Sequence, residues 1–92
     1  MEEADHAMTD PTTIQRDIGY AIGESRRCGM IARVVCDASE MEAYRMEAKR
    51  QAESCGMVLR CEHATPTLVL CSAYYPSRGP QSPEWRVEIE AA

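Results

Sequence analysis

The stretch from Asp37 to Gly56, DASEMEAYRMEAKRQAESCG, carries helix signals at both ends, and two apolar runs, MVLRCEH and TPTLVLCSAYY, follow without a gap. Ser39 followed by Glu42 spells a capping box, in which each side chain satisfies a backbone N–H that the first helical turn leaves open. Met41, Tyr44, Ala48, Ala52 and Cys55 recur at helical spacing and make one face apolar. Gly56 stands where a left-handed residue most easily stops a helix. A helix with an apolar stripe must bury it, and the strands that follow supply the nearest surface. The unit therefore predicts a helix packed on a sheet.

The flanking segments extend this pattern. Asp10 before Pro11 fits a helix start, Ile14, Ile18, Ala21 and Ile22 keep helical spacing, and Gly29 fits a stop after Arg26 and Arg27. Gly19 and Gly23 oppose a helix at about 1 kcal/mol each, which leaves a strand through DIGYAIG as the competing reading. MIARVVC, residues 30 to 36, is short, β-branched and bounded by Gly29 and Asp37, as a strand would be. Met57, Leu59 and Cys61 alternate with Val58, Arg60 and Glu62, which predicts that the first set faces the core. LVLCSAYY is apolar on both faces like a central strand, and Pro66 sits where a strand can begin but not continue. PSRGPQSP, residues 76 to 83, reads as a loop. Trp85, Val87, Ile89 and Ala91 then alternate with Arg86, Glu88 and Glu90.

The resulting order of elements predicts an α+β fold, a mainly antiparallel four-stranded sheet with two helices packed on one face and the other face wet. Residues 1–10 read as a flexible acidic lead, and 11–92 as a single domain. Such a short chain builds only one thin core. Without phenylalanine and with one tryptophan, Ile, Val, Leu and the six methionines are expected to fill it.

Fifteen acidic residues against ten basic ones give a net charge of -5, which argues against affinity won by neutralising the phosphates of free nucleic acid. A basic protein surface is the better electrostatic match. Nine of the ten bases are arginine, which forks onto carboxylates and phosphates and stacks on aromatic rings. The opening MEEADHAMTD lacks the cationic start and apolar stretch of an export signal, and no apolar segment nears the roughly 20 residues that span a bilayer. These features predict a cytoplasmic protein, with no membrane partner and with its five cysteines as free thiols.

Cys55, Cys61, His63 and Cys71 are spaced C-x5-C-x-H-x7-C, which matches no close-paired zinc arrangement, so no metal is expected and the cysteines read as small core residues. The alternative is a small thiol or metal protein, or an assembly subunit, using Cys61 and His63. Glu40, Glu42, Glu47 and Glu53 read as the solvated side of the central helix, interleaved with Arg45, Lys49 and Arg50. Glu88 and Glu90 read as a charged sheet edge. No Gly-rich phosphate loop or H-E-x-x-H string is present, so neither a cofactor nor a catalytic residue is predicted, and the chain reads as a binding protein rather than an enzyme.

Tyr74 and Tyr75 are adjacent on one strand and must point to opposite faces. With helices on one face only, one ring lies on the open side. Arg33, Arg60 and Arg86 are expected there too, with Arg78 in the nearby loop. Tyrosine and arginine dominate binding hot spots, so Arg33, Arg60, Tyr74, Tyr75, Arg78 and Arg86 are the candidate partner-binding residues.

A short acidic chain in which SEMEAYRMEAKRQAESCGMVLRCEHATPTLVLCSAYY, residues 39 to 75, runs from capped helix into hairpin resembles the small phage-encoded anti-CRISPR proteins, those of the type I-F branch in particular. The resemblance is one of architecture, length and sparse aromatic content, and it carries no residue roles across. It implies a stoichiometric inhibitor in the host bacterial cytoplasm. Such a protein docks on subunits of an RNA-guided surveillance complex, with contact to guide RNA at the rim, and blocks target DNA from binding or pairing. The mixture of charges points to a wedge on a protein surface rather than to a mimic of duplex DNA.

Overall fold

The structure is a computed structural model that describes residues 9–92. Helix α1 spans Pro11–Cys28, strand β1 Ala32–Cys36, helix α2 Met41–Ser54, and strands β2, β3 and β4 Val58–Thr65, Leu68–Tyr74 and Trp85–Ala91. The segment DIGYAIG is helical. Gly19 lies over the Gln51 side chain of α2, whose Nε2 donates to the Gln15 carbonyl at 3.0 Å, so tertiary contact between the helices outweighs the glycine propensity. Gly29, at φ 70°, ends α1 and donates its N–H to the Ser25 carbonyl at 2.8 Å.

The start of α2 differs from the expected capping box. A 3-10 turn over Ala38–Glu40 precedes the helix, Ser39 Oγ donates to the Asp37 carboxylate at 3.0 Å, and Glu42 is drawn to Arg45 at 3.1 Å. Neither partner of the box is then available for backbone N–H groups. The far end is as expected: Met57 N–H donates to the Ala52 carbonyl at 2.9 Å and Gly56 N–H to Glu53 at 3.0 Å, with Gly56 left-handed at φ 79°.

The sheet order is β1-β4-β3-β2. β2 with β3 and β3 with β4 are antiparallel, but β1 pairs with β4 in parallel, so the sheet is mixed. The reason lies in the connection through α2. A helical crossover returns the chain in its former direction, which makes β1 and β2 co-directional at opposite edges, and the β2–β3–β4 meander then brings β4 back beside β1 in that same direction.

Both helices cover one face. Ile14, Ile18, Ala21 and Ile22 of α1 and Tyr44, Ala48 and Ala52 of α2 pack with Val34, Val69, Cys71, Trp85, Val87 and Ile89 of the sheet. Cys55 is exposed, not part of that stripe. Of the methionines expected in the core, Met57 is buried and Met41 packs at its margin, but Met30 and Met46 are exposed. Ile18, Val87 and Ile89 supply the volume instead.

Two acidic assignments also change. Glu40 is buried rather than solvated: its carboxylate accepts from the Thr9 backbone N–H and from Thr9 Oγ at 2.7 Å. This contact orders Thr9, while the rest of the expected flexible lead, residues 1–8, lies outside the described residues. Glu88 and Glu90 sit on a central strand, not an edge.

Candidate functional site

The uncovered face of the sheet is built by alternation. Because Val69, Cys71 and Ala73 of β3 and Trp85, Val87 and Ile89 of β4 are buried under the helices, Leu70, Ser72, Tyr74, Arg86, Glu88 and Glu90 take the other side. Register sorts them into rows. Ser72 pairs with Arg60 on β2 and with Arg86 on β4, so two arginines flank one serine across three adjacent strands. Strand spacing puts their Cα atoms about 10 Å apart. Tyr74 is the next residue on the same face of β3, and Val58 is its partner on β2.

This row borders a shallow depression of about 260 Å³ lined by Arg60, Glu62, Leu70, Ser72, Tyr74 and Arg86. Its remaining wall is the connecting loop, through Pro80, Gln81 and Pro83. The loop is a succession of turns: Arg78 and Gly79 donate their N–H groups to the Tyr75 carbonyl, and Ser82 donates to Gly79. Glu84 closes it by donating its N–H to the Ala73 carbonyl at 2.7 Å.

The electrostatics differ along the face. Arg60 lies 3.2 Å from Glu62, an exposed pair that screening by water leaves weak. The neighbouring row carries Glu62, Leu70, Glu88 and Arg33, and Arg33 reaches both Glu88 at 3.5 Å and Glu90 at 3.2 Å. Arg86 has no carboxylate within ion-pair distance among the described residues. The Arg60–Ser72–Arg86 row is therefore a strip of cationic donors beside an acidic one. The small serine between them leaves room for a planar carboxylate or a phosphate to receive guanidinium hydrogen bonds from either side.

The structure thus gathers Arg60, Tyr74 and Arg86 and separates the other three candidates. Arg33 shares the face but is held by Glu88 and Glu90 toward the β1 edge. Tyr75 packs against the helix-side core, opposite to Tyr74. Arg78 turns to Glu84, 3.5 Å away, and Glu84 also faces Arg26 of α1 at 3.8 Å, which ties the loop to the end of that helix. Ser72, Leu70 and the loop prolines were not foreseen as site residues, although alternation along β3 already put Leu70 and Ser72 beside Tyr74.

A second grouping lies on the covered face. Cys61 and Cys71 are directly opposed in the β2–β3 ladder, with their Sγ atoms 3.6 Å apart. Cys71 is fully buried and Cys61 partly so. The hydrogen bond from Cys71 lowers the Cys61 pKa to about 6 against the opposing effect of burial, aided by the Arg45 guanidinium and by His63. Donation to Cys61 and burial push the Cys71 thiol far up in turn. His63 itself is exposed on the edge strand. Among the described residues no three side chains of metal-binding type converge, and no helix is long and apolar enough to cross a membrane.

No protein-family model, curated protein or solved structure matches the chain.

Proposed function

We infer that the chain is a stoichiometric binding protein that covers a surface of a type I-F RNA-guided surveillance complex and keeps target DNA from binding or pairing. The observation that carries the reading is the Arg60–Ser72–Arg86 row with Tyr74 beside it on an uncovered sheet face. Tyrosine on a rigid strand platform loses little conformational freedom on docking, and the planar fork of arginine loses less per hydrogen bond formed than lysine would, which suits a hot spot. The row receives a carboxylate of a protein subunit or a phosphate of the bound guide, and Tyr74 stacks or packs at its end. Glu62 and Glu88 next to the row match lysines or arginines bordering a nucleic-acid channel, so the interface has both signs and a fixed register. The placement in this inhibitor class rests on the resemblance of residues 39 to 75 together with chain length and acidity.

The test uses the whole chain and a purified type I-F complex, with co-elution and target-DNA mobility shift as readouts. Co-elution with loss of the DNA shift is expected, and a paired Arg60→Glu and Arg86→Glu change should abolish both. An unchanged DNA shift at saturating protein overturns the inhibitor reading.

A further inference from the structure

We propose that Cys61 and Cys71 form a peroxide-responsive thiol pair, in which Cys61 is the attacked residue and Cys71 resolves it to a cross-strand disulfide. Three features of the fold place the pair. The residues face each other in register on neighbouring strands, and their sulfurs are already in van der Waals contact at 3.6 Å. A disulfide requires about 2.05 Å, so the two side chains must turn further toward each other to close the bond. Access is unequal. Cys61 lies on edge strand β2 and is partly exposed, whereas Cys71 is sealed under the helices on central strand β3.

Polarity gives the pair its direction. Arg45 of α2, held by Glu42 through two guanidinium contacts, lies beside Cys61 and favours its thiolate. Cys71 keeps its proton and donates toward Cys61. Cys28, Cys36 and Cys55 lack this arrangement: Cys28 and Cys55 are exposed on helix ends, and burial and the nearby Glu40 and Asp37 raise the Cys36 pKa.

The chemistry balances with a hydroperoxide as oxidant. The Cys61 thiolate attacks one peroxide oxygen, the O–O bond breaks, and protonation of the leaving hydroxide gives water and a Cys61 sulfenic acid. Cys71 then attacks the Cys61 sulfur, loses its proton, and expels the hydroxyl as a second water. Two thiols together lose two electrons, and the peroxide gains them. A thiol reductant returns the pair by exchange. The bond would staple β2 to β3 behind Arg60, Ser72 and Tyr74, yet the inference stands without the partner-binding reading because it rests on the covered face.

The experiment titrates the reduced full chain with hydrogen peroxide and follows intact mass and cysteine-linked peptides. One equivalent should remove two hydrogens and join the Cys61 and Cys71 peptides. In Cys71→Ala the sulfenic acid should persist and be trapped by dimedone on Cys61, and Cys61→Ser should give no product at this site. Arg45→Leu should slow the Cys61 reaction about tenfold at about pH 5, where the thiolate is the minor form and a one-unit rise in thiol pKa cuts its fraction about tenfold. Should Cys71→Ala fold poorly, the unmutated chain decides: a Cys61–Cys71 link supports the proposal. Dimedone capture of Cys61 without that link, or oxidation confined to Cys28 and Cys55, overturns it.

Discussion

Replacing Ser25 by alanine should destabilise the fold far more than the loss of one hydroxyl suggests. Ser25 is 4% exposed in the last turn of α1, and its Oγ accepts the backbone N–H of Arg86 at 2.9 Å. That N–H has no strand partner on its side. The parallel ladder between β1 and β4 begins only at Ala32 and Val87, one residue further on. Ser25→Ala therefore leaves a partly buried donor unpaired at the start of a central strand, at a cost of about 1–3 kcal/mol. For a domain of this size each kcal/mol lowers Tm by about 4–8 °C, so a fall of roughly 5 to 20 °C is expected by calorimetry. Amide exchange at Arg86 should accelerate beyond that of Ile89. Ser54→Ala is the control, since its hydroxyl is on the surface and donates to the Gln51 carbonyl at 2.8 Å; it should stay within about 0.5 kcal/mol. A Tm change in Ser25→Ala no larger than in this control, with Arg86 exchange unaltered, would refute the reasoning.

Ile18→Ala removes a fully buried side chain at the centre of α1 and should cost about 2–5 kcal/mol in urea unfolding. Gly23→Ala adds a Cβ that meets no atom within 4 Å and should raise stability by about 0.4–1 kcal/mol in the same assay. Tyr74→Ala and Arg86→Ala should weaken partner binding by about 2 kcal/mol each in titration calorimetry while changing Tm little, because both side chains lie outside the helix-covered core. Cys61 is acted on by Cys71 of β3, by Arg45 of α2, itself paired with Glu42, and by His63 on its own strand. Its lowered pKa means that iodoacetamide labelling should rise as pH passes through about 6 rather than near the ordinary 9.0. In Cys71→Ala, which removes the first cause of the shift, the inflection should move upward.

Much of this architecture was legible from local patterns. The stripe through Tyr44, Ala48 and Ala52 and the alternation of Trp85, Val87 and Ile89 report burial directly, because periodicity is a consequence of which face meets the core. The parallel pairing of β1 with β4 was not, since strand direction depends on how the chain travels between residues 36 and 85 and leaves no mark on either strand. Ser39 failed as a capping box for a related reason: the carboxylate of Asp37 competes for its hydroxyl, and a four-letter pattern says nothing of that rivalry. At the site, alternation assigned Arg33, Arg60 and Arg86 to the open face, where the strand registers put them. It could not bind Arg78 to Glu84 or choose which tyrosine turned inward. The opposition of Cys61 and Cys71 was open to inspection, for each lies five residues from Pro66 in a hairpin that turns at that proline.

The mixed sheet has a consequence for how the chain acquires its structure. β4 is the seam between β1 and the β2–β3 hairpin, and it comes from residues 85–91. Until β4 is in place, β1 has no neighbour to pair with, and Trp85, Val87 and Ile89 are missing from the apolar layer beneath the helices. Sequence-distant pairing of this kind delays the cooperative step, since loop closure must precede its reward. A chain lacking the segment from Trp85 onward would thus hold a hairpin and two helices with nothing to join them, and completion hinges on the seven residues of β4.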